Sequence, residues 1–311
     1  MTLTRMRMVL AMRNRMFFFF SVLMPIGFFF LYAGIFAKGQ PARVLYLFGP
    51  ALSLNVMGSF WGLSAALVIF REQGILRRFH VTPVTSTDML LSSILASFVL
   101  TVPTVILEVL CARFLFHVPS VGNMLTLFVM VAVGTISFGC LGLVVASITN
   151  TMQETQVLNQ LIWLPLIFLS GATIPLLFLP KMVQKIGFFL PATYLVSGLT
   201  QATFRNAGVW EVRIALISLA AWAVLTFFVA AQLFRWEPEV KIPKNAKIFA
   251  AATIIPFVLL GFWEMRNGEL LARANGNDQT LERMEKAVQQ MQQQQQPQQQ
   301  PPPQQEAQPK Q

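Results

Sequence analysis

A chain of 311 residues that is 55% hydrophobic and only 12% charged is not an ordinary soluble domain, which carries about a quarter charged residues. A net charge of +10 would point a soluble protein towards nucleic acid, but here the basic residues flank apolar runs long enough to cross a bilayer. They face lipid headgroups and set orientation, so membrane lipids and no nucleic acid are the expected partners.

The expected fold class is all-α, a polytopic helical membrane protein. The first span, Phe17–Phe36, follows Arg5, Arg7, Arg13 and Arg15. It is too long for a signal-peptide core and no convincing cleavage site follows, so it reads as an uncleaved span with its N-terminus in the cytoplasm. Pro25 and Gly27 predict a kink. The second span is Tyr46–Phe70, the third Met89–Phe116 and the fourth Met124–Ile148, with "HVPSVGN" as a tight outer hairpin between the last two. After an inner loop, "TNTMQETQ", the fifth span begins near Val157 and runs through "LIWLPLIFLSGATIPLLFLP". The next stretch is apolar but broken by Pro180, Pro191 and Gly198. Its residues Met182, Val183, Ile186, Phe189 and Leu190 recur at helical spacing. Two forms fit: short helices lying at the outer interface, or a pair dipping into it. The sixth span is Val212–Phe234.

A membrane domain therefore covers 1–236. Residues 237–263 form a linker and a seventh apolar run, Ile248–Trp263, at the short edge of what can span. Basic residues before it and a mildly acidic tail after it favour a crossing. The polar, glutamine- and proline-rich tail, 264–311, is expected to be mostly disordered. Within it, Leu281, Met284, Val288 and Met291 carry the spacing of a short amphipathic or coiled helix. Lys and Arg are more numerous in the segments assigned inside than in those assigned outside, in keeping with the first span.

The segment between spans two and three, "FREQGILRRFHVTPVTSTD", stands out. Arg71 and Glu72 leave the second span at the water surface, and Gly74 permits a bend. Ile75, Leu76 and Phe79 share one helical face, with Arg77 and Arg78 pointing away, which predicts a short amphipathic helix on the membrane surface. Pro83 ends it, because Thr82 before a proline is pushed out of the helical region. Thr85 and Asp88 then form a capping box for the third span. Such a rigid elbow transmits force from a partner. Equally, on the residues alone, it is an inner loop whose arginines only fix orientation.

A resemblance favours the first reading. "REQGILRRFHVTPVTSTDMLLSSIL" resembles the inner loop of the type-2 ATP-binding-cassette (ABC) exporter permeases, at Glu72, Gly74, Leu76, Arg77, Thr82, Pro83 and Val84. A second block, at 155–199, is similar to the family's fifth span and outer elements. It matches at Pro165, Leu169, Ser170, Gly171, Pro175, Leu179, Pro180, Leu190, Pro191, Tyr194 and Leu195. The resemblance covers about residues 1–236 and implies a permease domain with a six-span exporter core and broken outer helices after the fifth span. It further implies a second permease copy, here expected as a homodimer in the cell membrane, and a separate ABC ATPase subunit beneath. By the same likeness 71–83 is the ATPase-coupling elbow, with Arg71, Glu72, Gly74, Leu76, Arg77, Arg78, Thr82 and Pro83. The outer cap holds Ser170, Gly171, Pro175, Pro180, Pro191 and Tyr194. Residues 237–311 lie outside the pattern.

No "GxxxxGK[ST]" phosphate cradle occurs, so the chain is expected to be a transport subunit and not itself an ATPase. No paired carboxylates support hydrolysis. Cys111, Cys140, His80 and His117 show no metal-ligand spacing, and no cofactor is expected. Glu108 is the one acidic residue deep in a span and a candidate for the transport pathway. Arg113 lies about 140° around the same helix and does not face it. Gly134, Ser137, Gly139 and Gly142 allow close helix approach, read as span packing ahead of a subunit interface or a pathway lining. The function expected is ATP-driven export of a small molecule, lipid or glycan-type substrate. The alternatives are an ion-coupled secondary transporter, resting on Glu108, and a non-transporting scaffold, resting on the tail.

Overall fold

Apolar runs of this length must satisfy their backbone polar groups internally, and all regular structure among the described residues is helical. The computed structural model describes residues 23–38, 40–80, 85–118, 120–176, 179–234, 236 and 253–295. The helices are α1 (Met24–Leu31, continued by a π-helical turn, Tyr32–Phe36), α2 (Pro41–Glu72), α3 (Ile75–His80), α4 (Ser86–Phe114), α5 (Met124–Ile148) and α6 (Met152–Leu169). After them come α7 (Lys181–Gly187), α8 (Pro191–Phe204), α9 (Arg213–Leu233), α10 (Ile255–Asn267) and α11 (Glu269–Gln295). Four of these, α2, α4, α5 and α9, are long and apolar enough to cross a membrane. The beginning of the expected first span, before residue 23, lies outside the described residues. The described part has π-helical geometry at Leu23, two residues before Pro25, and again at Tyr32–Phe36.

The bundle has two ends. One, the elbow end, holds α3, the start of α4 and the α5–α6 turn. At the other, the cap end, lie the α4–α5 hairpin, the segment after α6, and α7 and α8. The central helix is α5, lodged between α2, α9 and α8. Its register against α2 is set at Gly142, where a Cβ would come within 2.4 Å of the Phe60 carbonyl oxygen. Against α9, the Ser137 hydroxyl donates to the Leu219 carbonyl at 2.8 Å. Gly134 sits under Leu195 and Val56. These small residues, read in the sequence as span packing, are spent inside one subunit. Phe60, Met130, Phe138, Leu195, Leu199 and Trp222 fill the core around them. Trp222 also meets Phe138 and Phe257 edge-on.

The start of α4 matches its expected signature. Thr85 accepts a hydrogen bond from the Asp88 amide at 3.1 Å, and Asp88 accepts one from the Thr85 amide at 3.2 Å. Thr85→Ala should fray this turn, seen as hydrogen exchange at the Asp88 amide faster by about fivefold or more.

The broken stretch after the fifth span takes the dipping form. α6 ends at Leu169, earlier than expected, because Gly171 adopts a left-handed conformation (φ 87°) and turns the chain. α8 is buried along nearly its whole length. It begins beside Gly134, about 15 Å down α5, and climbs so that Thr200 lies against Gly49 and Phe204 meets Tyr46 at the cap end.

The C-terminal region departs most from expectation. α10 takes up the seventh run, Ile248–Trp263, which is described from residue 253 on. It starts where Trp222, midway along α9, donates to the Thr253 carbonyl at 3.1 Å, then climbs to the cap end. From Gly268 (φ 68°) the chain turns into α11, a single helix of 27 residues where a mostly disordered tail is expected. The glutamine- and proline-rich tract after Gln295 lies outside the described residues.

Candidate functional site

The elbow is built on the end of α2. Phe60, Ser64, Leu67 and Arg71 follow a helical stripe that faces the core, and all four are buried. Arg71 thus sits at 1% exposure, a correction to the reading that it leaves the span at the water surface. Its guanidinium donates to the carbonyls of Ala146 (2.8 Å) and Thr149 (3.0 Å), at the C-terminal end of α5. A cation there also suits the negative end of the helix dipole. Glu72 is exposed, and its Oε1 accepts from the Met152 amide, at the N-terminus of α6, at 2.8 Å. Two adjacent side chains of opposite charge therefore tie the end of α2 to the α5–α6 turn, each at the helix terminus that suits its sign.

Beyond them Gln73 closes the helix and Gly74, at φ 68°, makes the bend. α3 follows, with Leu76 fully buried beneath it and Arg78 exposed. Thr82 and Pro83, and the side chain of Arg77, lie outside the described residues. The stripe ending on Arg71 was the signal by which sequence reasoning would have found its burial.

At the cap end, Ser170 accepts from the Ala172 amide at 3.3 Å, and the Tyr32 hydroxyl donates to the Ala172 carbonyl at 2.9 Å, pinning the turn to α1. Pro175 is half-buried, Pro180 precedes α7, and Pro191 is the buried first residue of α8. Tyr194, at 1% exposure, donates to the Phe188 carbonyl at 3.1 Å. Of the six, Ser170, Gly171 and Pro175 line one cavity, and Gly187 is pressed against the Leu169 carbonyl.

Glu108 is buried on α4. Its Oε2 accepts from the Asn55 amide nitrogen of α2 at 3.4 Å, and its Oε1 has no partner among the described residues. Arg113 is exposed and plays no part there. A polar seam between α2 and α6 was not read from the sequence: Asn159 donates to the Ser64 hydroxyl at 2.8 Å, both buried. Isolated polar residues in apolar runs were its only trace. Among the described residues no cluster of His, Cys, Asp and Glu could hold a metal ion.

A helical bundle with a welded elbow at one end and a re-entrant segment at the other defines a class: multi-pass helical membrane proteins. The chain matches the model of the ABC-2 type transporter family over residues 1–204, and it belongs to that family. It is 28% identical over 172 residues to the inner membrane transport permease YhhJ of Escherichia coli, covering 55% of this chain and 46% of that protein. It is 29% identical over 153 residues to the probable multidrug ABC transporter permease YbhS of E. coli, covering 48% and 41%. It is 25% identical over 182 residues to the linearmycin resistance permease protein LnrN of Bacillus subtilis, covering 58% and 47%. The chain spans about half the length of the curated relatives it matches.

Proposed function

We propose that this chain is the membrane-spanning subunit of an ATP-driven exporter, working as two copies with a separate ABC ATPase pair docked on the elbow at 71–83. The observation that carries the reading is the double tie of Arg71 and Glu72 to the α5–α6 turn. A push on α3 reaches α2, α5 and α6 together because the ledge is part of their common end. In this reading the N-terminus and elbow are cytoplasmic and the cap is outside. Exposed apolar side chains such as Ile106, Leu110, Phe114, Val224 and Phe228 suit lipid or the second copy. The cargo is a small molecule, a lipid or a glycan-type compound, and the names of two relatives, which speak of multidrug transport and linearmycin resistance, favour the first.

The test is charge reversal at the two arginines of α3, of which Arg78 is exposed. Arg77→Glu with Arg78→Glu should cut ATPase co-purification at least tenfold and abolish export, while the protein still inserts at normal yield. Undiminished co-purification and transport would count decisively against the scheme.

Ion-coupled transport is the second reading, favoured by the buried Glu108 and its unpartnered oxygen, since ionisable groups inside a membrane are costly and commonly functional. Glu108→Gln separates the two. An ion-coupled carrier should lose its dependence on the proton gradient, whereas an ATP-driven one should keep its nucleotide dependence.

A further inference from the structure

The C-terminal helices lie outside the matched residues 1–204, yet they are joined to the cap by specific contacts. Where α11 crosses the cap end, Arg43 at the start of α2 donates to both oxygens of Glu285, at 2.5 and 3.1 Å. One turn along α2, the Tyr46 hydroxyl donates to Asp278 at 2.6 Å. Gly276 faces the Arg205 guanidinium so closely that a Cβ would lie 2.3 Å from it. The hydrogen bond from Arg43 holds the Glu285 carboxyl below the ordinary glutamate range, so the pair stays charged at neutral pH. α10 is anchored too. Its Gly261 fits against the Phe189 ring, and Glu264 accepts from the Leu270 amide, fixing the angle between α10 and α11.

Beneath α11 lies a cavity of about 60 Å³. Tyr46, Ser170, Thr193, Ser197 and Thr200 bring hydroxyls to it, and Asn277 comes from the roof. Asn277 is 5% exposed and its Oδ1 has no partner among the described residues. A buried acceptor left without a donor is costly, and a space this small holds a few waters only. The floor consists of the cap residues themselves.

We propose that α11 is a lid supplied by the chain itself, and that the cavity beneath it is the closed state of a largely apolar release chamber, edged by hydroxyls, at the outer mouth. The proposal rests on the permease reading. Among the described residues no charged side chain lines the chamber, and Pro50, Pro175, Leu176 and Val196 make most of its wall apolar, so it fits neutral, mainly apolar groups of a departing cargo. The lid is held at its rim by an ion pair and a hydrogen bond that solvent reaches, contacts weak enough to break in each cycle.

The experiment uses the full chain with its ATPase partner in lipid nanodiscs. Cys111 and Cys140 are replaced by alanine and Ser197→Cys is introduced as the reporter, reacted with a charged maleimide. With the lid closed, Cys labelling at this position should be slow. Arg43→Glu, which sets two acids face to face, should speed it at least fivefold. The swap Arg43→Glu with Glu285→Arg should restore slow labelling, which separates loss of the contact from misfolding. Added ATP should also speed labelling. If Arg43→Glu and the milder Glu285→Gln both leave the rate unchanged while ATP raises it, the lid is overturned and the permease reading stands. If charge reversal opens the chamber but ATP with the partner never does, the release role and the permease reading fail together.

Discussion

Arg71→Met is expected to uncouple this protein while leaving its partner bound. The methionine keeps most of the packed stem but removes a guanidinium that satisfies two carbonyls at the end of α5, Ala146 and Thr149. Hydrogen bonds from charged donors are worth more than neutral ones, and the abandoned acceptors lie close to the core. The variant should lose about 2–4 kcal/mol of stability. Its exposed ledge is unaltered, so an ATPase docked there should still co-purify. ATP hydrolysis should continue while transport falls about tenfold or more. Reversal at Arg77 and Arg78 should do the opposite and release the ATPase. Measuring co-purification, hydrolysis and transport side by side distinguishes the two. If Arg71→Met behaves like wild type in all three, the tie between α2 and the α5–α6 turn is not a transmission element. Both bonds come from the single nitrogen Nη1, so Arg71→Lys, whose ammonium also carries several donors on one nitrogen, should recover more of the coupling than Arg71→Met.

Gly142→Val is expected to be the most damaging single change within the bundle. Even the Cβ of alanine would stand 2.4 Å from the Phe60 carbonyl oxygen, and backbone cannot move aside as a side chain can. Separating α2 from α5 should cost Gly142→Ala about 1–3 kcal/mol and the valine more. The measurement is the unfolding midpoint of the purified protein in mixed micelles, together with the yield of inserted protein. Gly139 is the internal control. A Cβ there would meet Leu63 at an ordinary 3.5 Å, and alanine is the better helix former, so Gly139→Ala should be neutral or mildly stabilising. Equal effects at both positions would show that the α2–α5 crossing is not the tight contact described.

Much of the architecture was legible because the bilayer allows so few solutions. The fourth span was placed at Met124–Ile148 and α5 occupies those residues. The capping box at Thr85 and Asp88 formed as its residues require. Both are local matters, decided by apolar length and by one turn of hydrogen bonding. Where a choice depended on depth, the residues were ambiguous. The stretch 181–204 was apolar, helical and broken, which fits a surface helix as well as a dipping one. Only packing against Gly49, Gly134 and Met130 settles that α8 dips.

Charges were read least well. Arg71 looked like its exposed neighbours because composition cannot say which way a helix end faces. Glu285 and Asp278 looked like solvated tail residues because their partners, Arg43 and Tyr46, lie more than 200 positions away in the chain.

The sequence by itself determined that this protein is a helical bundle in a membrane, where the spans α2, α4, α5 and α9 run, and that a bend and a short helix follow α2. Those properties depend on hydrophobic length and short-range hydrogen bonding, which neighbouring residues fix between them. Only the tertiary structure decided that the elbow is welded to α5 and α6, that α8 dips into the bundle, and that the C-terminal helix covers the cap. Each of these requires groups distant in the chain to meet. Which acceptor a buried guanidinium finds, or which carboxylate a surface arginine finds, follows from how the helices cross and from nothing local to either residue.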